Sequence, residues 1–222
     1  MITNDFLDFD DIEIKPKFKE KYKGIPGERH RLAIIWPKPE EKANGKPKGP
    51  FEKRRVHYAD KYFFCKDGVC CEKLGPSKER ISCLVIKYKT KKDGIIVKAE
   101  GEKLPFSFEV LEWVFADKKF NQLKALHAEW DLKNHDMYVS CEGSEQYQDL
   151  TFTPCKESLF QLRPEYKEEI YRETEPSRAN LVRALGQDLS IEEIKEILGL
   201  EVSQPIDAVS GGEDLDKILD EM

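Results

Sequence analysis

The feature that most restricts the fold is the regular spacing of turn sequences between residues 56 and 115. Asp67-Gly68, Gly75-Pro76 and Asp93-Gly94 divide this region into short segments that are apolar or alternate in polarity. Turns roughly every 8–12 residues are typical of a small antiparallel sheet or barrel. We therefore predict strands over residues 57–65, 69–74, 81–88, 94–99 and 106–115.

Further elements flank this region. Residues 30–36, 137–141 and 150–153 read as additional strands, and residues 117–129 carry the apolar spacing of a helix capped by Asp117. After Pro154, helical spacing recurs over 165–171, 177–185 and 190–198, the last beginning with a Ser190/Glu193 capping box. The predicted fold is α+β: an antiparallel OB-like β-barrel with one internal helix, short C-terminal helices and a flexible acidic tail. In the internal helix the apolar stripe is Phe120, Leu123, Leu126 and Trp130.

The predicted organisation has four parts: an extended N-terminal arm (1–28), an OB-like barrel domain (29–160), a helical extension (161–200), and a linker with an acidic tail (201–222). No apolar run approaches the ~20 residues of a membrane helix. The N-terminus is acidic where a signal peptide would be basic. We therefore expect an intracellular protein whose six cysteines are reduced or bind metal.

Charge is segregated along the chain, although the net charge is only -6. Residues 1–13 and 207–222 each sum to -5, whereas residues 14–55 hold fourteen Lys or Arg against five acids. Within that block, residues 37–55 contain four Pro and two Gly, a composition that does not form a packed element. A basic loop on a β domain favours polyanion binding, and a solvated linker is the alternative.

Rings and cations alternate on two of the predicted strands. Aromatic rings that stack on bases, beside cations that follow the phosphates, hold single-stranded nucleic acid. The alternative is that the rings belong to the core while the lysines extend to the rim. The predicted nucleic-acid-binding residues are Lys38, Lys42, Lys46, Lys48, Lys53, Arg54, Arg55, Tyr58, Lys61, Tyr62, Phe64, Lys87, Tyr88, Lys89 and Lys91.

Four residues form a candidate zinc site. A hairpin that brings Cys65 and Cys70 together, with His57 and Cys83 nearby, would supply four zinc ligands. The C-x4-C spacing is looser than the usual C-x2-C, and free cysteines also serve as small core residues. Cys141 and Cys155 belong to no recognisable motif.

The last ten residues have helical apolar spacing, with acids on the opposite side. Such a segment can dock in a partner's groove or lie in the protein's own basic groove, and a frayed solubilising terminus is the third reading. We predict partner binding by Asp214, Leu215, Asp216, Ile218, Leu219, Asp220, Glu221 and Met222.

Catalysis has little support in the sequence. The four histidines lie in no nucleophile or zincin motif, and no phosphate-binding loop or dinucleotide fingerprint occurs. A metal-dependent nuclease stays open because its acids need not be close in sequence. We expect a binding protein rather than an enzyme.

The stretches YFFCKDGVCCEKLG (62–75) and HDMYVSCEGSEQYQDLTFTP (135–154) resemble segments of phage single-stranded-DNA-binding proteins. The resemblance covers roughly residues 30–160 and the tail. It implies an OB-like barrel that coats exposed strands during DNA replication and recombination in the infected bacterial cytoplasm, with a C-terminal tip that recruits partner proteins. Some phage members hold zinc through His and Cys, although the spacing here differs. The alternatives are an accessory subunit of a phage transcription or replication complex that docks through its tail, and a virion protein.

Overall fold

The computed structural model describes residues 21–38, 40–43, 45–66, 68–99, 104–143, 148–178 and 181–200. Within these ranges the chain is α+β. The strands are β1 (Arg29–Ile34), β2 (Lys42–Ala43), β3 (Lys46–Pro47), β4 (Glu52–Ala59), β5 (Lys61–Phe64), β6 (Lys78–Tyr88), β7 (Phe108–Ala116), β8 (Met137–Gly143) and β9 (Gln148–Pro154). The helices are α1 (Val69–Leu74), α2 (Asp117–Trp130), α3 (Pro164–Arg178), α4 (Leu181–Leu185) and α5 (Ile191–Ile197).

Seven strands form one antiparallel sheet, in the order β5-β4-β6-β1-β8-β9, with β7 paired to the other edge of β6. β4 pairs with the first half of β6, β1 pairs with its second half, and β7 follows almost its whole length. Residues 81–86 of β6 are all buried, because the sheet packs against helices on both faces. This explains a nearly unbroken apolar run where a sheet solvated on one face would show alternation.

The sheet is open. β5 and β9 end the strand order, and no pairing joins them in the described part of the chain. The sheet curls enough for the Trp113 ring on β7 to lie 5.8 Å from the Phe152 ring on β9, and α2 packs against β6, β7 and β9. The α+β class and the antiparallel sheet are thus confirmed, whereas the described strands do not close into the predicted barrel.

Two main cores lie on opposite faces of the sheet. One, which we call the inner core, contains Leu32, Trp113 and Leu123 and is covered by α2. The other, the outer core, contains Leu84 and Ile86 and is covered by α3 and α4. The alternation of side chains along β6 divides its residues between the two cores.

Residues 21–28 pack along the sheet as an irregular segment. The Tyr22 amide donates to the Glu112 carbonyl on β7 (2.8 Å), and the Gly27 amide donates to the Cys141 carbonyl on β8 (2.9 Å). A Cβ at Gly24 would lie only 2.8 Å from Leu150 Cδ2 and 2.9 Å from Cys141 Sγ. Only glycine therefore lets this segment approach the sheet so closely.

Three predicted strands differ from the structure. Val69–Leu74 is helix α1, because Gly68 and Gly75 have positive φ values (96° and 76°) and turn the chain at both ends. Residues 94–99 form only isolated bridges. The segment 57–65 lies on two strands rather than one, since Asp60 has a φ of 60° and reverses the chain between β4 and β5.

Two helical predictions agree closely with the structure: α2 spans Asp117–Trp130, and the Ser190/Glu193 capping box is present at the start of α5. Asp117 is not the cap, because the N-cap position is Ala116 and Asp117 is the first residue of the helix. The predicted helix 177–185 falls on the end of α3 and on α4. Leu123 is buried, while Trp130 at the end of the predicted stripe is 39% exposed. Among the described helices, none combines the length and the hydropathy that crossing a bilayer requires.

Candidate metal centre and nucleic-acid interface

Four potential metal ligands converge at one end of the sheet. His57 lies on β4, Cys65 follows β5, and Cys70 and Cys71 lie on α1. Their ligand atoms all lie within 4.8 Å of one another. We call these four residues the metal cluster. Three thiols and one imidazole form the Cys₃His donor set of structural zinc sites.

Three of the distances within the metal cluster are close to those of tetrahedral coordination. Cys65 Sγ lies 3.5 Å from Cys71 Sγ and 3.8 Å from Cys70 Sγ, and Cys71 Sγ lies 3.4 Å from His57 Nε2. A tetrahedral Zn²⁺ with Zn–S of about 2.3 Å and Zn–N of about 2.0 Å separates its ligand atoms by about 3.5–3.8 Å. The cluster can therefore hold a metal ion with little rearrangement.

Burial affects the protonation of this site. His57 is 5% exposed, and burial lowers the pKa of its imidazole, which keeps the neutral, metal-binding form at pH 7. The Cys70 thiol donates to the Lys66 carbonyl at 2.8 Å. Metal binding would replace that proton, since thiolates rather than thiols are ligands.

Cys83 does not belong to the metal cluster, so this part of the sequence prediction is wrong. Its side chain is fully buried in the inner core, where burial raises the pKa of the thiol. Val56, next to His57, pairs with Lys78, and Cys83 lies five residues farther along β6, at about 17 Å. Cys71 is the fourth potential ligand instead. The sequence feature that could have identified it is its position directly after Cys70.

A small third core surrounds the metal cluster. This core contains the buried residues Phe63, Cys70, Leu189 and Ile194. Because they come from β5, α1 and the region of α5, the metal cluster lies where the β4–β5 hairpin meets these two helices. The Gln187 amide donates to the Tyr62 carbonyl (3.0 Å), and the Phe64 amide donates to the Gln187 carbonyl (2.9 Å). The β5 edge is thereby covered by the segment that precedes α5.

The same hairpin carries an exposed aromatic pair. Tyr58 and Tyr62 are directly opposite in the β4–β5 register, with ring centroids 4.9 Å apart. Tyr58 is 60% exposed and Tyr62 is 39% exposed. Arg80 Cζ lies 3.7 Å from the Tyr62 ring centroid, and Arg80 Nη1 donates to the Leu185 carbonyl (2.7 Å), which fixes the guanidinium.

Further cations lie around this pair. Arg54 is the cross-strand neighbour of Arg80, Lys78 pairs with Val56 on the same two strands, and Lys61 lies in the hairpin. All three are exposed, and Lys61 and Lys78 have no ion-pair partner among the described residues. Lys61 pairs with Ala59, one position from the Tyr58–Tyr62 pair, so its side chain leaves from the opposite face of the hairpin, contrary to the sequence prediction that grouped it with these rings. The residues that share the Tyr62 face are called the ring surface below: Tyr58, Tyr62, Arg80, Arg54 and Lys78.

Tyr88 does not contribute to a binding surface, contrary to the sequence prediction. It is 1% exposed and packs in the outer core, with its ring 5.2 Å from Phe106. Stacking on a base requires an accessible ring face, which Tyr88 lacks. Phe64 is half-buried opposite Val56, at the margin of the ring surface.

The lysines at the end of β6 lie apart from the ring surface. Lys87, Lys89 and Lys91 line a cavity of about 350 Å³ that also contains Glu28 and Glu109. Lys87 is seven positions from Arg80 on β6, a distance of about 23 Å along the strand. Side chains alternate between the two faces of a sheet, so an odd separation places Lys87 on the face opposite Arg80. The structure therefore separates these lysines from Tyr58 and Tyr62.

The described cations of residues 21–55 are mostly exposed, and several are paired with neighbouring acids. Lys53 Nζ lies 2.7 Å from Glu79, and Lys48 lies 3.8 Å from Glu52. Lys38, Lys42 and Arg55 are exposed as well. The side chain of Lys46 and the predicted partner-binding residues 214–222 lie outside the described residues.

Arg80 and Lys78 were missed by the sequence analysis. They occupy alternate positions just before the apolar run of β6, a pattern that is visible in the sequence. Their place beside Tyr58 and Tyr62 follows from the β4–β6 register, which no local pattern reveals. Comparison of the chain with protein-family models, curated proteins and solved structures finds no match.

Proposed function

We propose that the protein binds single-stranded DNA at the ring surface and does not catalyse a reaction on it. The observation that supports this most is the exposure of Tyr58 and Tyr62 beside Arg80. Large rings are otherwise buried when they serve only as core, as Tyr88 and Trp113 are here. Two adjacent accessible rings next to cations are what an unpaired strand needs.

Each component has a distinct physical role in this proposal. Tyr58 and Tyr62 stack with bases, and each stacked base contributes about 1–3 kcal/mol. Arg80, fixed by the Leu185 carbonyl, and the exposed side chains of Arg54 and Lys78 neutralise phosphates. Sequence preference is weak because every base presents a π-face. The three lysines near the end of β6 would contact DNA only at a second site, separate from the ring surface: Lys87, Lys89 and Lys91.

We further propose that the metal cluster holds a structural zinc. The zinc would supply the cross-link between α1 and the β4–β5 hairpin, and hence orient Tyr58 and Tyr62. Four protein ligands leave no open coordination position, which fits a structural rather than a catalytic metal. The ligands would be His57, Cys65, Cys70 and Cys71. The hydrogen bond from the Cys70 thiol to the Lys66 carbonyl would be lost, because the bound sulfur is a thiolate.

The biological role that fits best is coating of exposed strands during phage DNA replication and recombination, with partners recruited by the C-terminal tail. This role rests on the resemblance of residues 62–75 and 135–154 to phage single-stranded-DNA-binding proteins. Tyr62 and three of the four metal ligands fall within the first of these stretches.

Titration of oligonucleotides of graded length, followed by fluorescence anisotropy, tests the proposal. The Tyr58→Ala/Tyr62→Ala variant should raise the Kd at least tenfold, because stacking with two bases is lost. Trp130→Ala is the matched control, since Trp130 has the same exposed fraction as Tyr62 but lies on α2. It should leave the Kd unchanged.

Equal loss of affinity in both variants, or none in either, would contradict the proposal. A chain that binds no strand at low salt yet still binds replication proteins would instead be an accessory subunit. Cleavage of the oligonucleotide that requires Mg²⁺ would identify a nuclease.

A further inference from the structure

An apolar pocket of about 210 Å³ opens between α2 and the end of β1. Its lining includes Ile34, Trp36, Phe51, Phe120 and Leu132. An engineered apolar cavity of about 150 Å³ is already large enough to hold benzene. The pocket can therefore receive one or two aliphatic side chains.

The rim of this pocket carries two lysines and one acid, Asp131, which lies 3.6 Å from the lining residue His127. Lys124 on α2 lines it directly, and Lys133 Nζ lies 5.0 Å from the Trp36 ring centroid. Neither ammonium group takes part in an ion pair within the described residues. An apolar pocket between two such lysines is complementary to a segment with one apolar and one acidic side.

Residues 213–222, which lie outside the described ranges, are a segment of this kind. Leu215, Ile218, Leu219 and Met222 have the spacing i, i+3, i+4 and i+7, which places them on one helical face. The acids of this segment fall on the remaining arc: Glu213, Asp214, Asp216, Asp220 and Glu221.

We propose that the pocket is the docking site of the chain's own residues 213–222. Ile218 and Leu219 enter between α2 and β1, and the acids approach Lys124 and Lys133. The described chain ends at Leu200, and the twelve residues 201–212 span at most about 40 Å when extended. A domain of this size has a diameter of about 40 Å, so a tether of that length reaches most of its surface.

The docked segment would leave the ring surface accessible. The pocket contains Ile34 and Leu123 of the inner core, whereas Arg80 and Tyr62 lie on the outer-core side of the sheet, near α4. The inference therefore goes beyond strand binding and does not depend on it. Strand affinity should be the same whether the pocket is occupied or empty.

The test uses a fluorescein-labelled peptide of residues 211–222, titrated with the full chain and followed by anisotropy. In the wild-type chain the tethered segment is present at an effective concentration in the millimolar range and competes with the peptide. Replacing Ile218→Asp and Leu219→Asp in the full chain should free the pocket. The peptide should then bind at least tenfold more tightly than it binds the wild-type chain.

A second substitution locates the binding site. Added to the Ile218→Asp/Leu219→Asp chain, Lys124→Glu should weaken peptide binding at least fivefold. Lys118→Glu is the matched control, because Lys118 is exposed on the same helix but does not line the pocket. It should have no effect.

Three results would overturn the proposal. The first is equal peptide affinity in the wild-type and Ile218→Asp/Leu219→Asp chains, and the second is peptide binding that Lys124→Glu does not weaken. The third is a dimer, measured by light scattering, that disappears in the Ile218→Asp/Leu219→Asp chain. In that case the occupant is the tail of a second copy.

Discussion

At the scale of single residues, the metal cluster depends on two neighbours in α1. Successive residues of a helix point about 100° apart, yet Cys70 and Cys71 both approach Cys65, which lies between their directions. Cys70 faces the small core and Cys71 faces His57. The two thiols therefore have different surroundings, although both are ligands in the proposed zinc site.

Replacing one cysteine at a time distinguishes the ligand set seen in the structure from the set predicted from sequence. Cys71→Ser should lose the bound zinc, because a hydroxyl is a poor replacement for a thiolate ligand. Cys83→Ala should keep one zinc per chain, since Cys83 is a core residue on β6. Metal analysis of protein purified without chelator measures both. Zinc retained by Cys71→Ser and lost from Cys83→Ala would restore the earlier assignment.

His30 should make stability depend on pH. It is 4% exposed, the Tyr22 hydroxyl donates to Nδ1 (3.1 Å), and Nε2–H donates to Glu28 (3.1 Å). Burial lowers the pKa of His30 in the folded state, so the unfolded chain binds the proton more readily. The stabilisation is therefore complete above the unfolded pKa of about 6.5 and declines as the pH falls below it.

Urea unfolding at pH 7.5 and 5.5 measures this effect. A single buried histidine contributes at most about 1.4 kcal/mol per pH unit to the free energy of unfolding. His30→Gln keeps a donor and an acceptor but does not titrate, so it should show a smaller loss between the two pH values. Identical losses in wild type and His30→Gln would exclude His30 as the cause.

At the scale of elements, the end of the β4–β5 hairpin extends past the rest of the sheet. β4 pairs with β6 over residues 52–56, so residues 57–59 pair only with β5, and β5 is held on its outer side by Gln187. α1 is six residues long, too short to be stable without tertiary contacts. The metal cluster lies where these pieces meet, so we expect it to contribute much of their order.

Removal of metal should therefore act locally. Under a chelator, hydrogen exchange should increase in residues 56–66, 68–74 and 187–198, while the amides shared by β6 and β7 stay protected. Strand affinity should fall in parallel, because Tyr58 and Tyr62 lose their fixed orientation. Uniform deprotection of the whole chain, or no change in exchange anywhere, would contradict a local structural role.

Elements with a complete local signal could be predicted from sequence. α2 and α5 carry both apolar spacing and residues suited to their N-termini, and the long strand β6 carries an apolar run. α1 could not be predicted, since six residues are too few to show a helical period. The burial of Tyr88 and Cys83 could not be predicted, because each is covered by a core on a different face of β6. Those cores are formed by residues far away in the sequence.

At the scale of the whole molecule, the net charge of -6 opposes binding of a polyanion, and the ring surface must act locally. Screening makes this possible, because the Debye length is about 8 Å at physiological salt. Acidic segments farther away than this have little effect on a phosphate at Arg80. Binding should thus depend on the few cations of the ring surface.

The salt dependence measures how many cations take part. If Arg54, Lys78 and Arg80 each neutralise a phosphate, log K should fall with log salt with a slope of about -2 for a single strand. Lys78→Gln should reduce the magnitude of the slope by about 0.7. Lys118→Gln, on α2, should not change it. A slope that Lys78→Gln leaves unaltered would remove Lys78 from the interface.

The division of β6 between two neighbours has an evolutionary consequence. Within β6, the residues that pair with β4 are 78–82 and the residues that pair with β1 are 85–87. The two contacts therefore do not overlap. Insertions or deletions in residues 52–71 can accumulate without shifting the alignment of β1, β8 and β9. Descendants of this chain could exchange the segment that carries Tyr58 and the metal ligands for another one, and still inherit the same scaffold.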